Sequence, residues 1–323
     1  MTYEIWDVFA DAPLRGNPLA VVRDGGALDA AGRQAWAREF ALSETVFVRE
    51  DEDGGARLAI HTPQRELPMA GHPTIGAAFS LDRAGRAAGD LLRVHARAGT
   101  IAVRLDRDAD GRLSRAWMDQ GRPVRLARVA ARERVAGALG LDKVDLHPSL
   151  PIEAWSAGNP FLLVPLRNEE ALARAWLRLE ALDPGWIDPE HRAVLAFLPP
   201  APGAPVRARM FGEALGVVED PGTGSAHGPL GAYLVRHART AAPTEGRPTL
   251  VEALQGVEMG RPSRLSLRMR RPGPDQGAAS ATPGHAGTDG DVAEVAVEVG
   301  GHAVRIAAGT LLPDSVLPDG SGA

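Results

Sequence analysis

Residues 219–233 have the sequence EDPGTGSAHGPLGAY, and this stretch decides how the rest of the chain is interpreted. It begins as a polar, glycine-rich loop and runs directly into small and apolar residues that continue to Val235. This change predicts the start of a helix, whose first amide NH groups have no partners within the helix. The stretch therefore predicts a binding site for an anionic group.

A second stretch repeats this arrangement upstream. Residues 66–78 have the sequence ELPMAGHPTIGAA, in which Gly71 and His72 suit a helix cap and Pro73 suits the first helical position. The helix is expected to continue to about Asp82 and is apolar on nearly all sides, which predicts that it is buried. Two such helix starts could hold one small anionic ligand.

The tripeptide Gly-Asn-Pro also occurs twice, at positions 16–18 and 158–160, and each copy precedes an aliphatic strand. Each copy is followed by a loop of glycine and histidine that leads into a buried helix. Coincidence could account for the tripeptide alone, but the matching order of the parts favours an internal duplication. We therefore predict two similar, strand-rich halves, residues 1–115 joined by strand 304–312, and residues 116–303.

Other local patterns complete the prediction. Asp29 is expected to cap a helix that carries Trp36 and Phe40, and an amphipathic helix is expected at about 129–139. Residues 271–290 contain almost no large apolar side chain, so we expect a flexible insertion there.

Composition excludes several classes of protein. The chain has 323 residues, a formal net charge of −5 and no cysteine, so disulfides, thiolate nucleophiles and two-thiol racemase chemistry are excluded. The sequence lacks the stripe of basic residues that is typical of proteins that bind nucleic acid. It also shows neither an apolar run nor a leader that would indicate a membrane, so we expect a cytoplasmic protein. The single lysine, Lys143, lies in an acidic segment, which disfavours pyridoxal chemistry, and no motif suggests a catalytic metal.

Glu44 is the first candidate for catalysis. It follows Ser43 at the end of a predicted helix and is flanked by apolar residues, so partial burial would raise its pKa towards the range in which a carboxyl group takes and returns protons. A capping or surface glutamate is the alternative.

Three further sites could bind or position a ligand. Asp220 could hold an ammonium group or orient a histidine, or it could only order its turn. His72, at the positive end of a helix dipole, would tend to be neutral, and a buried structural histidine is its alternative. Gly224 and Ser225 offer NH groups and a hydroxyl to a carboxylate, whereas His227 is expected to pack within its helix.

Taken in order, these motifs resemble the PhzF family of phenazine-biosynthesis-like isomerases over nearly the whole chain. The motifs that carry the resemblance are Gly16-Asn17-Pro18-Leu19-Ala20-Val21-Val22, Leu42-Ser43-Glu44-Thr45, Ala70-Gly71-His72-Pro73-Thr74, Gly158-Asn159-Pro160, Glu219 to His227, and Gly260-Arg261-Pro262-Ser263.

The resemblance implies an α+β fold of the diaminopimelate-epimerase type. In this fold two pseudosymmetric domains each curl a mainly antiparallel sheet around a central helix, with the active site in the cleft between them. The resemblance also implies a homodimer that acts without cofactor or metal. Glu44 matches the glutamate that moves the proton, and His72 and Asp220 match residues that position the substrate. The substrate-binding residues of the family match Ser43, Gly71, Gly224 and Ser225.

The expected function is therefore a cofactor-independent proton shift in a small unsaturated carboxylic acid, as in isomerisation of trans-2,3-dihydro-3-hydroxyanthranilate. One alternative is isomerisation or cyclisation of another secondary metabolite, such as a conjugated proline precursor. A non-catalytic protein that binds a small acid is the other. Met69, where an aromatic residue is common in the family, and the long 271–290 insertion are the departures from the family pattern.

Overall fold

A computed structural model describes residues 1–23, 26–51, 55–87, 89–182, 193–201, 203–212, 217–273 and 291–312. In these residues the strands are β1 Thr2–Val8, β2 Asn17–Arg23, β3 Glu44–Glu50, β4 Ala56–His61, β5 Glu66–Leu67, β6 Leu91–Ala96, β7 Gly99–Arg107, β8 Leu113–Asp119, β9 Val124–Val129, β10 Ile152–Ser156, β11 Pro160–Pro165, β12 Val194–Leu198, β13 Val206–Gly212, β14 Val217–Asp220, β15 Thr249–Gln255, β16 Ser263–Arg270, β17 Asp291–Val292, β18 Ala296–Gly301 and β19 Ala303–Thr310. The helices are α1 Ala30–Phe40, α2 Gly71–Arg83, α3 Arg132–Ala138, α4 Glu169–Arg174 and α5 Gly224–Arg236.

The chain divides into two compact units. The first consists of Met1–Met118 together with the described residues from Gly301 onward, and the second is Asp119–Gly300. The flexible insertion predicted at 271–290 lies outside the described residues except for 271–273.

The two units pair their strands in the same order. In the first unit β1 and β2 are antiparallel, β2 and β3 parallel, β3 and β4 antiparallel, β4 and β6 parallel, and β6 and β7 antiparallel. The second unit repeats this pattern with β10, β11, β12, β13, β15 and β16. The parallel steps pass through α1 and α2 in the first unit and through α4 and α5 in the second. This shared order supports the predicted internal duplication.

Each unit contains one buried helix of thirteen residues, α2 or α5. Residues 71–81 of α2 are all buried, and in α5 every residue from Ala226 to Leu234 is buried. Glycines in both helices let the surrounding elements approach closely, because a Cβ at several of these glycines would occupy the space of a neighbouring side chain. The sequence prediction of two buried helices is therefore confirmed.

A second feature shared by the two units is a glutamate that accepts a hydrogen bond from a tryptophan two residues later. Trp6 Nε1 donates to Glu4 Oε2 at 3.1 Å, and Trp155 Nε1 donates to Glu153 Oε2 at 2.9 Å. Both pairs lie on the first strand of the repeated pattern, β1 or β10. Each tryptophan N–H therefore has a partner although its ring is buried.

The same glutamates bind the C-terminal part of the central helix. Ser80 Oγ donates to Glu4 at 2.6 Å, and His237, which caps the end of α5, contacts Glu153 Oε2 through Nε2 at 3.0 Å. Burial alone would raise the pKa of Glu4, but the hydrogen bonds from Ser80 and Trp6 and the charge of Arg305 lower it. Each unit thus attaches its central helix to its first strand through a charged hydrogen bond.

Local predictions were confirmed in part. The Asp29 side chain accepts from Gly32 N and caps α1, as expected. Pro73 was predicted at the first helical position but occupies the third, because the helix begins at Gly71 with Ala70 as its N-cap. The helix predicted at 129–139 begins only at Arg132, since Val129 still belongs to β9.

Replacing Gly76 in α2 by alanine is expected to destabilise the protein by about 1–3 kcal/mol, the usual cost of overpacking. A Cβ at this position would lie 2.3 Å from Leu19 Cδ2 and 3.0 Å from Val8 Cγ2, and both neighbours are fully buried. The measurement is the free energy of unfolding in urea.

Gly137→Ala in α3 is the matched control, because a Cβ there meets no atom within 4 Å. Without a clash, the better helix propensity of alanine should stabilise the protein by up to about 1 kcal/mol. Equal stabilities for the two variants would show that α2 is not packed this closely.

Candidate active site

Glu44 is the first residue of β3 and lies beside the start of β2, where Leu19 is its partner in the parallel pair. Its side chain is 17% exposed. Ser43 precedes it in the short connection from α1. Because Glu44 begins a buried strand, its backbone is held in the sheet while part of its side chain stays accessible.

His72 is the second residue of α2 and its side chain is 4% exposed. Its Nε2 lies 3.6 Å from Glu44 Oε2, and its Nδ1 lies 3.3 Å from Asn17 Nδ2. Burial lowers the pKa of His72 to about 3, so the imidazole is neutral at physiological pH. The contact with Glu44 is therefore between a carboxylate and a neutral ring, not between two ions.

Asn17 connects this histidine to Ser43. Asn17 is fully buried at the start of β2, and its Oδ1 accepts from Ser43 Oγ at 3.0 Å. The first Gly-Asn-Pro copy, the Ser43-Glu44 pair and the start of α2 are thus brought together, although 55 residues separate Asn17 from His72.

The two central helices differ from α1 and α4 at their N-termini. Asp29 caps α1 and Asn168 caps α4 through their side chains, whereas neither Ala70 of α2 nor Thr223 of α5 makes a side-chain capping bond. No side chain at the N-cap thus occupies the first NH groups of α2 and α5.

In the second unit, Thr223 donates its hydroxyl to Asp220 Oδ2 at 2.5 Å instead of capping α5. Gln255 fixes the same turn, since its Nε2 donates to Asp220 O at 2.6 Å and to Thr223 Oγ1 at 3.0 Å. Asp220, Thr223 and Gln255 are all buried. This network holds the Asp220 carboxylate next to the start of the helix at Gly224.

Two further buried polar side chains, Gln120 and His227, lie at the start of α5. Gln120 Nε2 donates to Gly224 O at 2.9 Å, and its amide packs on Gly228. His227 Nδ1 lies 2.9 Å from Thr223 O and must carry the proton, because a carbonyl only accepts. Among the described residues, neither Gln120 Oε1 nor His227 Nε2 has a hydrogen-bond partner.

The structure therefore groups the predicted site residues by unit. Ser43, Glu44, Gly71 and His72 lie together in the first unit. In the second unit, Asp220, Gly224 and Ser225 lie together at the start of α5. Their roles stay predictions.

Sequence reasoning did not assign Asn17, Gln120 or Gln255 to the site. Asn17 could have been found from its place in a repeated tripeptide, and Gln255 from the glycine that follows it. That glycine, Gly256, has φ +75° and would place a Cβ 2.6 Å from Pro221 O. No comparable signal marks Gln120.

The described residues contain no group of three or more His, Cys, Asp or Glu side chains placed to hold a metal ion. None of their helices has the length and apolar character needed to cross a membrane.

Comparisons with known proteins agree with this architecture. Residues 6–309 match the family model PhzC-PhzF, phenazine biosynthesis-like protein. The trans-2,3-dihydro-3-hydroxyanthranilate isomerase of Pseudomonas aeruginosa is 38% identical over 273 residues, which are 82% of this chain and 89% of that protein.

Solved structures show the same fold. A Bacillus anthracis phenazine biosynthesis protein of the PhzF family superimposes with a TM-score of 0.82 over 97% of this chain and 99% of that chain, at 23% identity. A probable proline racemase from Agrobacterium radiobacter K84 superimposes with a TM-score of 0.63 over 98% and 94% of the two chains, at 11% identity. The predicted resemblance and the α+β, epimerase-like fold class are confirmed.

As the pH falls, His227→Gln is expected to lose less free energy of unfolding than the unsubstituted protein. Burial lowers the pKa of His227 to about 4 from an ordinary value of 6.5, although the Thr223 carbonyl opposes this shift. Between these values the unfolded chain binds a proton that the folded protein does not, so stability falls as the pH drops. From about pH 7 to about pH 5 this histidine alone should cost about 2 kcal/mol.

The measurement is urea unfolding of the original protein and His227→Gln over this pH range. Above about pH 7 the two proteins should change in parallel, which serves as the internal control. Parallel curves down to about pH 5 would contradict a neutral, buried His227.

Proposed function

Since the chain belongs to the PhzC-PhzF family of phenazine biosynthesis-like proteins, we propose that it shifts a proton within a small unsaturated carboxylic acid without a cofactor. The named relatives at 38–39% identity are isomerases, and this chain is an isomerase of the same type. The substrate named for those relatives, trans-2,3-dihydro-3-hydroxyanthranilate, is the first candidate for this chain.

The observation that carries the proposal is the Glu44 carboxylate, partly accessible and 3.6 Å from the neutral His72 ring. In the proposed reaction Glu44 takes a proton from a carbon of the substrate, and the electrons of that C–H bond move into the adjacent unsaturated system. The protonated Glu44 then returns the proton to another carbon of this system, so substrate and product are isomers. A carboxylate that both takes and returns a proton acts as a general acid and base.

The other site residues bind the substrate in this proposal. The NH groups at the start of α5 and the Ser225 hydroxyl hold the substrate carboxylate, as helix N-termini hold anions. The uncapped state of α5 supports this role, since Thr223 directs its hydroxyl to Asp220 instead. Asp220, fixed by Gln255, positions a donor group of the substrate.

Replacing Glu44 by glutamine should lower turnover roughly 10²- to 10⁴-fold, the usual contribution of general acid-base catalysis. Binding should change little, because glutamine keeps the shape of the side chain and one acceptor oxygen but cannot take up the proton. The assay follows isomerisation of trans-2,3-dihydro-3-hydroxyanthranilate by absorbance and by proton NMR in D₂O, with calorimetry for binding.

Glu39→Gln is the matched control, since Glu39 is an exposed glutamate on α1 of the same unit. It should retain full turnover. Undiminished turnover by Glu44→Gln would refute Glu44 as the proton carrier. Turnover of a conjugated proline precursor but not of the first candidate would identify another substrate. Binding of either acid without turnover or solvent exchange would favour a non-catalytic protein.

A further inference from the structure

Four side chains form a continuous polar chain that ends at the proposed proton carrier. Ser43 Oγ donates to Asn17 Oδ1 at 3.0 Å, Asn17 Nδ2 lies 3.3 Å from His72 Nδ1, and His72 Nε2 lies 3.6 Å from Glu44 Oε2. The proposed function and the family resemblance give roles to Glu44, His72 and Ser43. They do not explain why a fully buried asparagine stands between Ser43 and His72.

The direction of the hydrogen bonds in this chain determines where the His72 proton lies. When the Asn17 carbonyl oxygen accepts from Ser43, its NH₂ group faces His72 Nδ1 and can only donate. Nδ1 must then be the acceptor, and a neutral imidazole with an accepting Nδ1 carries its single proton on Nε2. Burial keeps the ring neutral, since it lowers the pKa of His72 to about 3.

The opposite arrangement would rotate the Asn17 amide. Its oxygen would then accept from a protonated Nδ1, and the bare lone pair of Nε2 would face the Glu44 carboxylate at 3.6 Å. A lone pair beside a carboxylate is repulsive, whereas an N–H beside it is attractive. The Ser43 hydroxyl can donate to the amide oxygen or accept from the NH₂ group, so it fits both orientations. The Glu44 carboxylate, which only accepts, therefore selects the orientation in which Nε2 carries the proton.

We propose that Asn17 is a positioning residue that holds His72 in the Nε2-protonated tautomer, so that this N–H faces Glu44 and the atoms that exchange protons with it. His72 Nε2 has no hydrogen-bond partner among the described residues, which leaves its N–H available when the charge on Glu44 changes. The catalytic part of this inference rests on the proposed function, and the tautomer itself does not.

The first test is nitrogen NMR of the ligand-free protein with ¹⁵N-labelled histidine, because the two neutral tautomers differ clearly in their ring nitrogen shifts. The His72 signals are assigned with a His72→Gln variant. We expect a protonated Nε2 and an unprotonated Nδ1 at neutral pH. A protonated Nδ1 in the unsubstituted protein would overturn the proposal without any activity measurement.

The second test replaces Asn17 by aspartate, whose carboxylate accepts but does not donate. His72 should then carry a proton on Nδ1, and kcat should fall roughly 10- to 100-fold, as when one hydrogen bond to a charged group is lost. KM should change little, because Asn17 is fully buried. An unchanged tautomer or an unchanged kcat in a folded Asn17→Asp protein would refute the role of Asn17.

Asn17→Ala removes the amide donor without adding a charge and serves if Asn17→Asp does not fold. Without a donor facing Nδ1, this nitrogen is no longer held unprotonated, so a fraction of the Nδ1-protonated tautomer should appear. Its absence would contradict the proposed chain. Asn159→Asp, in the second Gly-Asn-Pro copy, is the matched control and should leave the His72 signals unchanged.

These outcomes separate the two proposals. Loss of turnover in Glu44→Gln combined with a protonated Nδ1 in His72 would remove the role of Asn17 and keep the function. Full turnover in Glu44→Gln combined with a protonated Nε2 would remove the function and keep the tautomer.

Discussion

A helix that is buried on every side cannot rely on bulk water for the polar groups of its first turn, and this constraint shapes both units. Peripheral helices α1 and α4 satisfy part of their first turn with the side chains of Asp29 and Asn168. The central helices α2 and α5 have no such cap, although their first turns are mostly buried. An anion at either start can therefore accept hydrogen bonds from the NH groups of the first turn, which links the location of the candidate site to the packing of the fold.

A comparison of the two units distinguishes residues that the fold requires in both from residues that differ between them and belong to the candidate site. The fourth residue of each central helix, Thr74 or His227, bonds the carbonyl of its N-cap residue in both units. The second residue differs: His72 is buried beside Glu44, whereas Ser225 is half-buried and offers a hydroxyl. One scaffold thus presents a neutral imidazole in one unit and a hydroxyl donor in the other.

The sequence contained enough information for the fold class and the two buried helices, because glycine-rich helix starts and repeated motifs leave local patterns. It did not reveal the contact between Asn17 and His72 or the role of Gln255. These contacts join residues 55 and 35 positions apart and depend on the register of strands around the helix starts, which local propensity does not specify. Pro73 shows the same limit, because the residue pattern around it fits a helix that begins at Pro73 as well as one that begins two residues earlier, at Gly71.

The two Gly-Asn-Pro copies show why Asn17 is more than a turn residue. In both copies the glycine has positive φ, +70° at Gly16 and +126° at Gly158, and the proline lies in the following strand. The backbone of the turn accounts for these two residues in both units. Asn17 is fully buried and contacts His72, whereas Asn159 is half-buried and the helix of its unit has a serine in place of that histidine. The asparagine is therefore buried in the unit where it has an imidazole to orient, and the turn alone does not explain its position.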